Sequence, residues 1–192
     1  MIHINHTIQD FEVTGYVDGD FKTFRSAEYR GKWMVLIFYP ADFTFICPTE
    51  LEDAQKHYTE LKALGAEVFG VSTDTHFTHK AWHDASEAIK KVQFPLLGDP
   101  SGSLCRQFGT YIEDEADDDA GLSLRGTFII DPDGIVKTIE IHANNIGRSG
   151  HELLRKLQAA KFVRENKGLV CPAEWEPGAE TLRPGADLVG KI

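Results

Sequence analysis

The most informative segment of this chain reads VLIFYPADFTFICPTE and spans residues 35–50. It opens with a continuous apolar run, which is typical of a strand buried on both faces. Pro40 ends the run, because proline cannot continue a central hydrogen-bonded ladder. Pro48 is the residue type favoured at the start of a helix. We therefore predict a strand, a loop, and a helix whose N-terminus carries Cys47.

Cys47 lies at a position that suits a reactive thiol. Unpaired N–H groups and the positive end of the helix dipole favour an anion at a helix N-terminus. The thiolate is the nucleophilic form of cysteine, so such a position favours reactivity. The alternative is a small buried residue, which free cysteine often is. The placement between a strand and a helix favours the reactive thiol.

The composition excludes several classes of protein. Of the 192 residues, 42% are hydrophobic, which is enough for a sizeable core. The net charge of −10 argues against a nucleic-acid partner, which would need a basic face. No segment approaches the ~20 apolar residues of a membrane span, and the N-terminus lacks the features of a signal peptide. We therefore expect a cytoplasmic protein with neither nucleic acid nor membrane as partner.

The three cysteines are too few and too scattered for a secreted disulfide scaffold, and none forms a CxxC pair. Cys47 and Cys171 are each followed by proline. Cys105 lies between Leu104 and Phe108 in a predicted helix, and we interpret it as core packing.

Strands and helices alternate along the chain until about residue 168, and the remainder is rich in proline, glycine and scattered charge. This pattern, with a late hairpin, predicts an α/β fold with a sheet of mixed direction. Asp18-Gly19 and the segment 131–134 are strong turn signals, and the segment 149–152 fits a helix capping box. The predicted strands are 11–16, 21–24, 34–39, 68–71, 94–97, 127–130 and 135–141, and the predicted helices are 48–64, one after the caps at 72–74 that runs to Ala85, 99–108, and one from residue 149.

Residues 43–50, FTFICPTE, resemble the active-site signature of the typical two-cysteine peroxiredoxins, and residues 170–172 resemble their second cysteine motif. Residues 72–83 and 174–192 are similar to the alkyl hydroperoxide reductase C type within that family. The resemblance covers essentially the whole chain. It implies a thioredoxin-like fold with a mixed central sheet, an N-terminal hairpin extension and a C-terminal tail. Its domain would span residues 1–168, and the tail that carries the second cysteine would span residues 169–192.

The resemblance also implies catalytic roles that general chemistry makes understandable. Cys47 is the peroxidatic nucleophile, which becomes a sulfenic acid, and Cys171 is the resolving cysteine. Arg125 is a permanent cation that can stabilise the thiolate and the developing negative oxygen. Thr44 places its hydroxyl near the thiolate, and Pro40 closes over the pocket. Taken alone, Arg125 would be an ordinary surface residue, Thr44 a turn residue and Pro40 a residue that ends a strand. The surrounding motif favours the functional interpretation for all three.

Glu50 and Arg148 match positions that brace the catalytic arginine in the resembled family. For Glu50 there is a competing explanation, because a carboxylate in the first helical turn also complements the helix dipole.

The reaction partners are likewise implied by the resemblance. It implies a hydroperoxide substrate, a disulfide between Cys47 and Cys171 of two chains, an antiparallel homodimer, and a decameric ring of five dimers. The residues alone leave open whether Cys171 reaches Cys47 of its own chain or of a partner. The reductant would be a flavoprotein disulfide reductase of the alkyl hydroperoxide reductase F type or a thioredoxin. No prosthetic group is needed, because electrons arrive by thiol–disulfide exchange.

Three alternatives compete with this interpretation. His76, His79 and His83 share one helix face, and such spacing can hold a metal, but the resembled mechanism needs none and we predict no metal site. A holdase ring would not depend on its thiols. A disulfide exchanger acting on proteins would be expected to carry a CxxC pair.

Overall fold

A seven-stranded mixed sheet forms the centre of the protein in the computed structural model, which describes residues 2–191. Met1 and Ile192, the two ends of the predicted domain and tail, lie outside the described residues. The strand order is β2-β1-β5-β4-β3-β6-β7. The strands are β1 (Glu12–Val17), β2 (Asp20–Arg25), β3 (Trp33–Phe38), β4 (Ala66–Ser72), β5 (Leu96–Gly98), β6 (Arg125–Ile130) and β7 (Val136–His142).

Strand β4 pairs in parallel with β3 and β5, and the other pairs are antiparallel. This combination confirms the predicted sheet of mixed direction. The helices are α1 (Cys47–Lys56), α2 (Tyr58–Ala63), α3 (His76–Ala85), α4 (Ser103–Phe108) and α5 (Gly150–Glu165), and single 3-10 turns lie at Ser26–Tyr29, Ile89–Lys91 and Ala186–Leu188.

Strand β3 is buried on both faces, as its continuous apolar run predicts. Alternate side chains of a strand point to opposite faces, so Val35 and Ile37 join one core while Leu36 and Phe38 join the other. Helices α1, α2, α3 and α5 cover the first face, and α4 with the N-terminal segment covers the second. Because β3 lies in the middle of both cores, the loop that follows it begins from a rigid support.

The N-terminal hairpin extends the sheet beyond β5. Asp18 and Gly19 connect its strands with φ angles of 51° and 81°, the left-handed values that a tight hairpin turn of this kind requires. Strand β1 then pairs with β5 through Gly15 and Tyr16. The predicted hairpin is confirmed.

The single helix predicted over 48–64 is wrong, because the structure divides it at His57. The backbone of His57 has φ −98° and ψ 0°, and its N–H bonds to the carbonyl of Ala54, three residues earlier, which tightens the turn. The bend directs Tyr58 and Leu61 into the first core. The spacing of hydrophobic residues along the chain does not by itself indicate such a break.

The start of α3 also differs from the predicted cap at 72–74. Thr75 caps this helix by accepting a hydrogen bond from the N–H of Thr78. Asp74 cannot serve, because its carboxylate accepts hydrogen bonds from the N–H of Asp42 and the hydroxyl of Ser72. The cap therefore moves one residue along the chain.

The tail after α5 packs against that helix. Val170 pairs with Leu182 in an isolated bridge, and the Trp175 ring packs on Phe162 with centroids 4.8 Å apart. Arg155 donates a hydrogen bond to the Trp175 carbonyl at 3.1 Å. Within residues 2–191, no helix is long and apolar enough to cross a membrane.

Candidate active site

Cys47 is the first residue of α1 and is completely buried. The preceding Ile46 accepts hydrogen bonds through its carbonyl from the N–H groups of Thr49 and Glu50, which closes the first turn of the helix. The thiol lies in the first core, in the same cluster as Tyr39 and Leu51. The predicted position at a helix N-terminus is therefore observed, in surroundings from which water is largely excluded.

Arg125 brings a cation to this buried thiol. It begins β6, the strand that pairs with β3, and only 3% of it is exposed. Its Nη1 donates to the Sγ of Cys47 at 3.4 Å and to a carboxylate oxygen of Glu50 at 2.6 Å. Its Nε donates to the backbone carbonyl of Asn144 at 2.9 Å. The guanidinium is thus held at both ends, with one edge against the sulfur.

Glu50 joins the two arginines of the site. Its Oε1 accepts from the backbone N–H of Arg148 at 2.7 Å and from the Nε of Arg148 at 2.9 Å, and its Oε2 accepts from Nη2 at 3.0 Å. Burial alone would raise the pKa of Glu50, but the hydrogen bonds from Arg148 and the charges of both arginines outweigh it and lower the pKa. Glu50 is therefore a carboxylate that fixes Arg125 and Arg148 together.

The charge of the cluster suits a thiolate. Two guanidinium groups and one carboxylate leave a net charge of one positive unit beside the sulfur. Uncompensated charge is costly in a buried site, and an anion at Cys47 would balance it. Glu50 contacts both arginines, and the sequence-based role of Glu50 and Arg148 in bracing Arg125 stays a prediction.

The loop between β3 and α1 holds the other two predicted residues. Pro40 is buried, and Thr44 is half-buried. The Thr44 hydroxyl donates to the carbonyl of Ala41 at 2.8 Å, and within residues 2–191 it makes no hydrogen bond to Cys47. The structure therefore places Thr44 in the adjacent loop, and its predicted role toward the substrate stays a prediction.

Two further residues of this site were not predicted from the sequence. Thr127 accepts a hydrogen bond from Nη1 of Arg148 at 3.0 Å, and Asn144 supplies the carbonyl that holds Arg125. Thr127 follows Arg125 by two positions on β6, so strand periodicity places both on one face and offers a signal for it. Asn144 contributes its backbone carbonyl, and because every residue has one, the residue type gives no signal for this contact.

The three histidines of the predicted helix face contact neighbouring side chains. His76 packs edge-to-face on Phe21, and His83 packs in the same way on Tyr16. The Nδ1 of the buried His79 lies 2.7 Å from a carboxylate oxygen of Asp42. In the described part of the chain, no group of three or more potential ligands is arranged to hold a metal ion.

Cys105 is fully buried in the second core, as its apolar neighbours predict. Burial, reinforced by the charge of Asp99, raises the pKa of Cys105 far above its ordinary range. A thiol that stays protonated is a poor nucleophile, so this cysteine is inert.

Cys171 lies on the tail beside α5, and its Sγ approaches the carbonyl of Ala159 at 3.9 Å. Burial raises the pKa of Cys171, and the charge of Arg155 opposes the rise. The thiol borders a cavity of about 630 Å³ that Val170 and Arg155 also line. Neither Cys171 nor Cys47 is in a disulfide, and the two sulfurs have different neighbours.

A buried cysteine thus begins the helix that follows β3, and an arginine from the neighbouring strand β6 contacts its sulfur, which is the environment of a reactive thiol. The model of the AhpC/TSA family matches residues 4–139. The chain belongs to this family.

Similar proteins extend the match over the tail. Alkyl hydroperoxide reductase C of Amphibacillus xylanus is 53% identical over 190 residues, which is 98% of each chain. The protein of the same name from Bacillus subtilis is 52% identical over 189 residues, again 98% of each chain. Because each of these matches covers 98% of this chain, it includes the positions of Arg148 and Cys171.

Solved structures agree with the sequence matches. The crystal structure of Enterococcus faecalis AhpC has a TM-score of 0.83 and 46% identity, and covers 90% of this chain and 100% of its own. The reduced 2-Cys peroxiredoxin of Plasmodium vivax has a TM-score of 0.87 and 30% identity, with coverage of 96% and 94%. The predicted family and the predicted thioredoxin-like α/β fold are confirmed.

Proposed function

We propose that this chain reduces hydrogen peroxide and small organic hydroperoxides to water and alcohols, as part of antioxidant defence and redox homeostasis. The observation that carries the proposal is the contact of Arg125 with Cys47, with Glu50 holding the same guanidinium. The name that the relatives share, alkyl hydroperoxide reductase C, supports the same substrate class.

The first step is a two-electron transfer from sulfur to the peroxide bond. The Cys47 thiolate attacks the terminal oxygen, so an S–O bond forms and the O–O bond breaks. The departing oxygen takes the electron pair and a proton, and it leaves as water or an alcohol. Arg125 donates hydrogen bonds to the oxygen on which negative charge develops, and a preorganised cation in a buried site is effective in that role.

The neighbouring residues prepare this step. Glu50 and Arg148 hold Arg125 in position through the hydrogen bonds described above. Pro40 shields the pocket from water. The Thr44 hydroxyl forms a hydrogen bond with the bound peroxide. Thr44 donates to Ala41 in the present structure, so this role requires its hydroxyl to rotate when substrate binds.

The second step is resolution by Cys171. Its thiol attacks the sulfenic acid, a disulfide forms, and the sulfenic oxygen leaves as water. We place Cys171 in the partner chain of an antiparallel dimer, with residues 169–192 as the tail that delivers it and residues 1–168 as the peroxidase domain. The burial of Cys47 means that this cysteine must leave its pocket before a bond of ~2.05 Å can form.

The third step restores both thiols. A flavoprotein disulfide reductase of the alkyl hydroperoxide reductase F type, drawing on NADH, or a thioredoxin supplies two electrons by thiol–disulfide exchange. The reaction therefore needs no prosthetic group on this chain. We place the protein in the cytoplasm, where thiols are kept reduced, and its dimers in a decameric ring.

The test is the intact mass of reduced protein after one equivalent of hydrogen peroxide, measured without reductant. We expect a covalent dimer that is lost in both Cys47→Ser and Cys171→Ser and retained in Cys105→Ser. An unchanged monomer would remove the peroxidase proposal and favour a thiol-independent holdase. A monomer lighter by two hydrogen atoms would place the disulfide within one chain.

A further inference from the structure

A buried polar cluster joins the catalytic loop, residues 40–47, to neighbouring parts of the fold, and it takes no part in the chemistry proposed above. The Asp42 carboxylate accepts a hydrogen bond from the Tyr39 hydroxyl at 2.9 Å on one oxygen, and His79 Nδ1 lies 2.7 Å from the other. The Asp42 N–H donates to Asp74 at 2.8 Å, and the Ser72 hydroxyl donates to the same Asp74 oxygen at 2.7 Å. These five residues are called the Asp42 clasp.

The clasp is among the most deeply buried polar groups of the protein. The side chains of Asp42 and His79 are both 0% exposed. Burial raises the pKa of Asp42, while the hydrogen bonds from His79 and Tyr39 oppose the rise. His79 Nε2 is buried and has no hydrogen-bond partner within residues 2–191. Such a network is costly unless its members are bound to one another, so it admits few alternative geometries.

The clasp fixes the loop from three directions. Every polar group of Asp42 except its carbonyl is bound to a different part of the fold. These parts are Tyr39 directly after β3, Asp74 in the loop after β4, and His79 in α3. The next residue, Phe43, has a φ of 57°, a left-handed value that is unfavourable for a side chain of this size. The clasp therefore holds a strained segment immediately before Thr44 and Cys47.

This segment must move during the proposed cycle. Cys47 is 0% exposed, and its sulfur contacts Arg125 rather than any part of the tail. A disulfide with Cys171 requires the sulfur to leave the core, and the loop from residue 40 to residue 47 is the chain that precedes it. The bonds that hold this loop closed oppose that motion.

We propose that Asp42 and His79 are positioning residues whose bond holds residues 40–47 in the closed form, and so sets how often buried Cys47 becomes exposed for attack by Cys171. This inference rests on the proposed function for its role in the cycle. The predicted physical effect, control of the opening of the loop, does not depend on peroxide.

The test variants separate the bond from general packing. His79→Leu removes the partner of Asp42 at similar volume, and Asp42→Asn removes the charge at the same size. His79→Asn keeps an N–H near the position of Nδ1 and serves as the rescue. Asp99→Asn is the matched control, because Asp99 is also a buried loop carboxylate, and it binds the N–H of Cys105 away from the catalytic loop.

The first measurement uses no peroxide. In the Cys171→Ser background, the alkylation rate of Cys47 by iodoacetamide and the hydrogen exchange of amides 41–47 report opening. We expect both to rise about ten-fold in His79→Leu and in Asp42→Asn, the factor expected for losing a hydrogen bond to a charged group. His79→Asn and Asp99→Asn should stay near the parent. Because the two residues share one bond, the double variant His79→Leu with Asp42→Asn should show less than the product of the single effects.

The second measurement follows the proposed cycle with Cys171 present. After one equivalent of peroxide, quenched samples should show faster disulfide formation in His79→Leu and no faster oxidation of Cys47.

Unchanged alkylation and exchange in folded His79→Leu and Asp42→Asn would overturn the inference. Should His79→Leu not fold, Tyr39→Phe with Asp42→Asn supplies the same test. Failure of the unmodified protein to oxidise Cys47 would remove the proposed function, and alkylation would still decide the role of the clasp.

Discussion

Arg125 donates a hydrogen bond from Nη1 to the sulfur of Cys47, although the two residues are 78 positions apart in the chain. The same nitrogen donates to Glu50, so the guanidinium cannot turn away from the sulfur without breaking a 2.6 Å ion pair. The contact joins the first residue of β6 to the first residue of α1, and neighbouring β3 aligns the two elements. We therefore expect the reactivity of Cys47 to depend on how firmly Arg125 is held.

Arg125→Lys should lower the rate of Cys47 oxidation although it keeps the positive charge. A lysine ammonium cannot donate to the sulfur, Glu50 and the Asn144 carbonyl with the fixed geometry of a guanidinium. We expect a loss of about 10²–10³ in the second-order rate constant, the size seen when a preorganised donor is removed. Stopped-flow oxidation under excess peroxide measures it. Arg106→Lys, at an exposed ion pair with Glu113, should leave the rate unchanged.

Glu50→Gln should destabilise the protein in a pH-dependent way. The pKa of Glu50 is lowered in the folded state, so its contribution is fully present above the pKa of the unfolded chain and is lost as the pH falls through the folded pKa. We expect a loss of about 3 kcal/mol at neutral pH, because removal of this buried charge leaves Arg125 and Arg148 uncompensated.

Urea unfolding of both proteins at one fixed protein concentration, from neutral to acid pH, measures this loss. The difference should shrink as the pH falls, and a difference that does not vary with pH would contradict the role assigned to the Glu50 charge. Glu12→Gln, at an exposed ion pair with Arg25, should change stability little.

Thr127→Val should weaken catalysis by loosening Arg148. The substitution keeps the shape of the side chain and removes the oxygen that accepts from Nη1 of Arg148 at 3.0 Å. A buried donor is then left unsatisfied, and we expect a roughly three- to ten-fold lower kcat/KM for hydrogen peroxide. Thr127→Ser retains the hydroxyl and should restore most of the rate. Equal rates for valine and threonine would show that this hydrogen bond does not matter.

Cys171→Ser should separate oxidation from recycling. Within residues 2–191, Cys171 makes no hydrogen bond to Arg125 or Glu50, so we expect the first oxidation of Cys47 to proceed at the normal rate. Turnover with the disulfide reductase should stop, because the Cys47 sulfenic acid then lacks the resolving thiol with which it forms the disulfide that the reductase reduces. A single-turnover assay and a coupled assay on the same sample measure the two steps. Loss of the first oxidation as well would place Cys171 in the peroxidatic site.

Cys105→Ala should cost stability without touching the chemistry. The side chain belongs to α4 and is fully buried in the second core, and its truncation leaves a small cavity. We expect a loss of about 1 kcal/mol in the free energy of unfolding. Peroxidase activity measured with the coupled assay should be unchanged. A fall in activity with an unchanged unfolding midpoint would give this cysteine a chemical role.

Local sequence accounts for much of the fold and for the position of Cys47 at a helix N-terminus. The apolar run of β3 requires a strand buried on two sides, and Pro40 and Pro48 mark where the strand ends and a helix can begin. The hairpin turn at Asp18-Gly19 follows from backbone preferences of two residues. Such signals act between neighbours in the chain, so they can be interpreted without knowledge of the rest of the molecule. The resemblance to the family then supplied Arg125, Glu50 and Arg148.

The contacts between distant residues around Cys47 depend on the tertiary structure. Glu50 and Arg148 are 98 positions apart, and they meet because the segment before α5 returns to the start of α1. Asp42 and His79 are joined across 37 positions, and the carbonyl that holds Arg125 belongs to Asn144, where the side chain gives no indication of it. The break at His57 arises in the same way, because burial of Tyr58 and Leu61 outweighs the preference for one continuous helix. Hydrogen bonds and packing between distant segments depend on the three-dimensional path of the backbone, which no short window of residues contains.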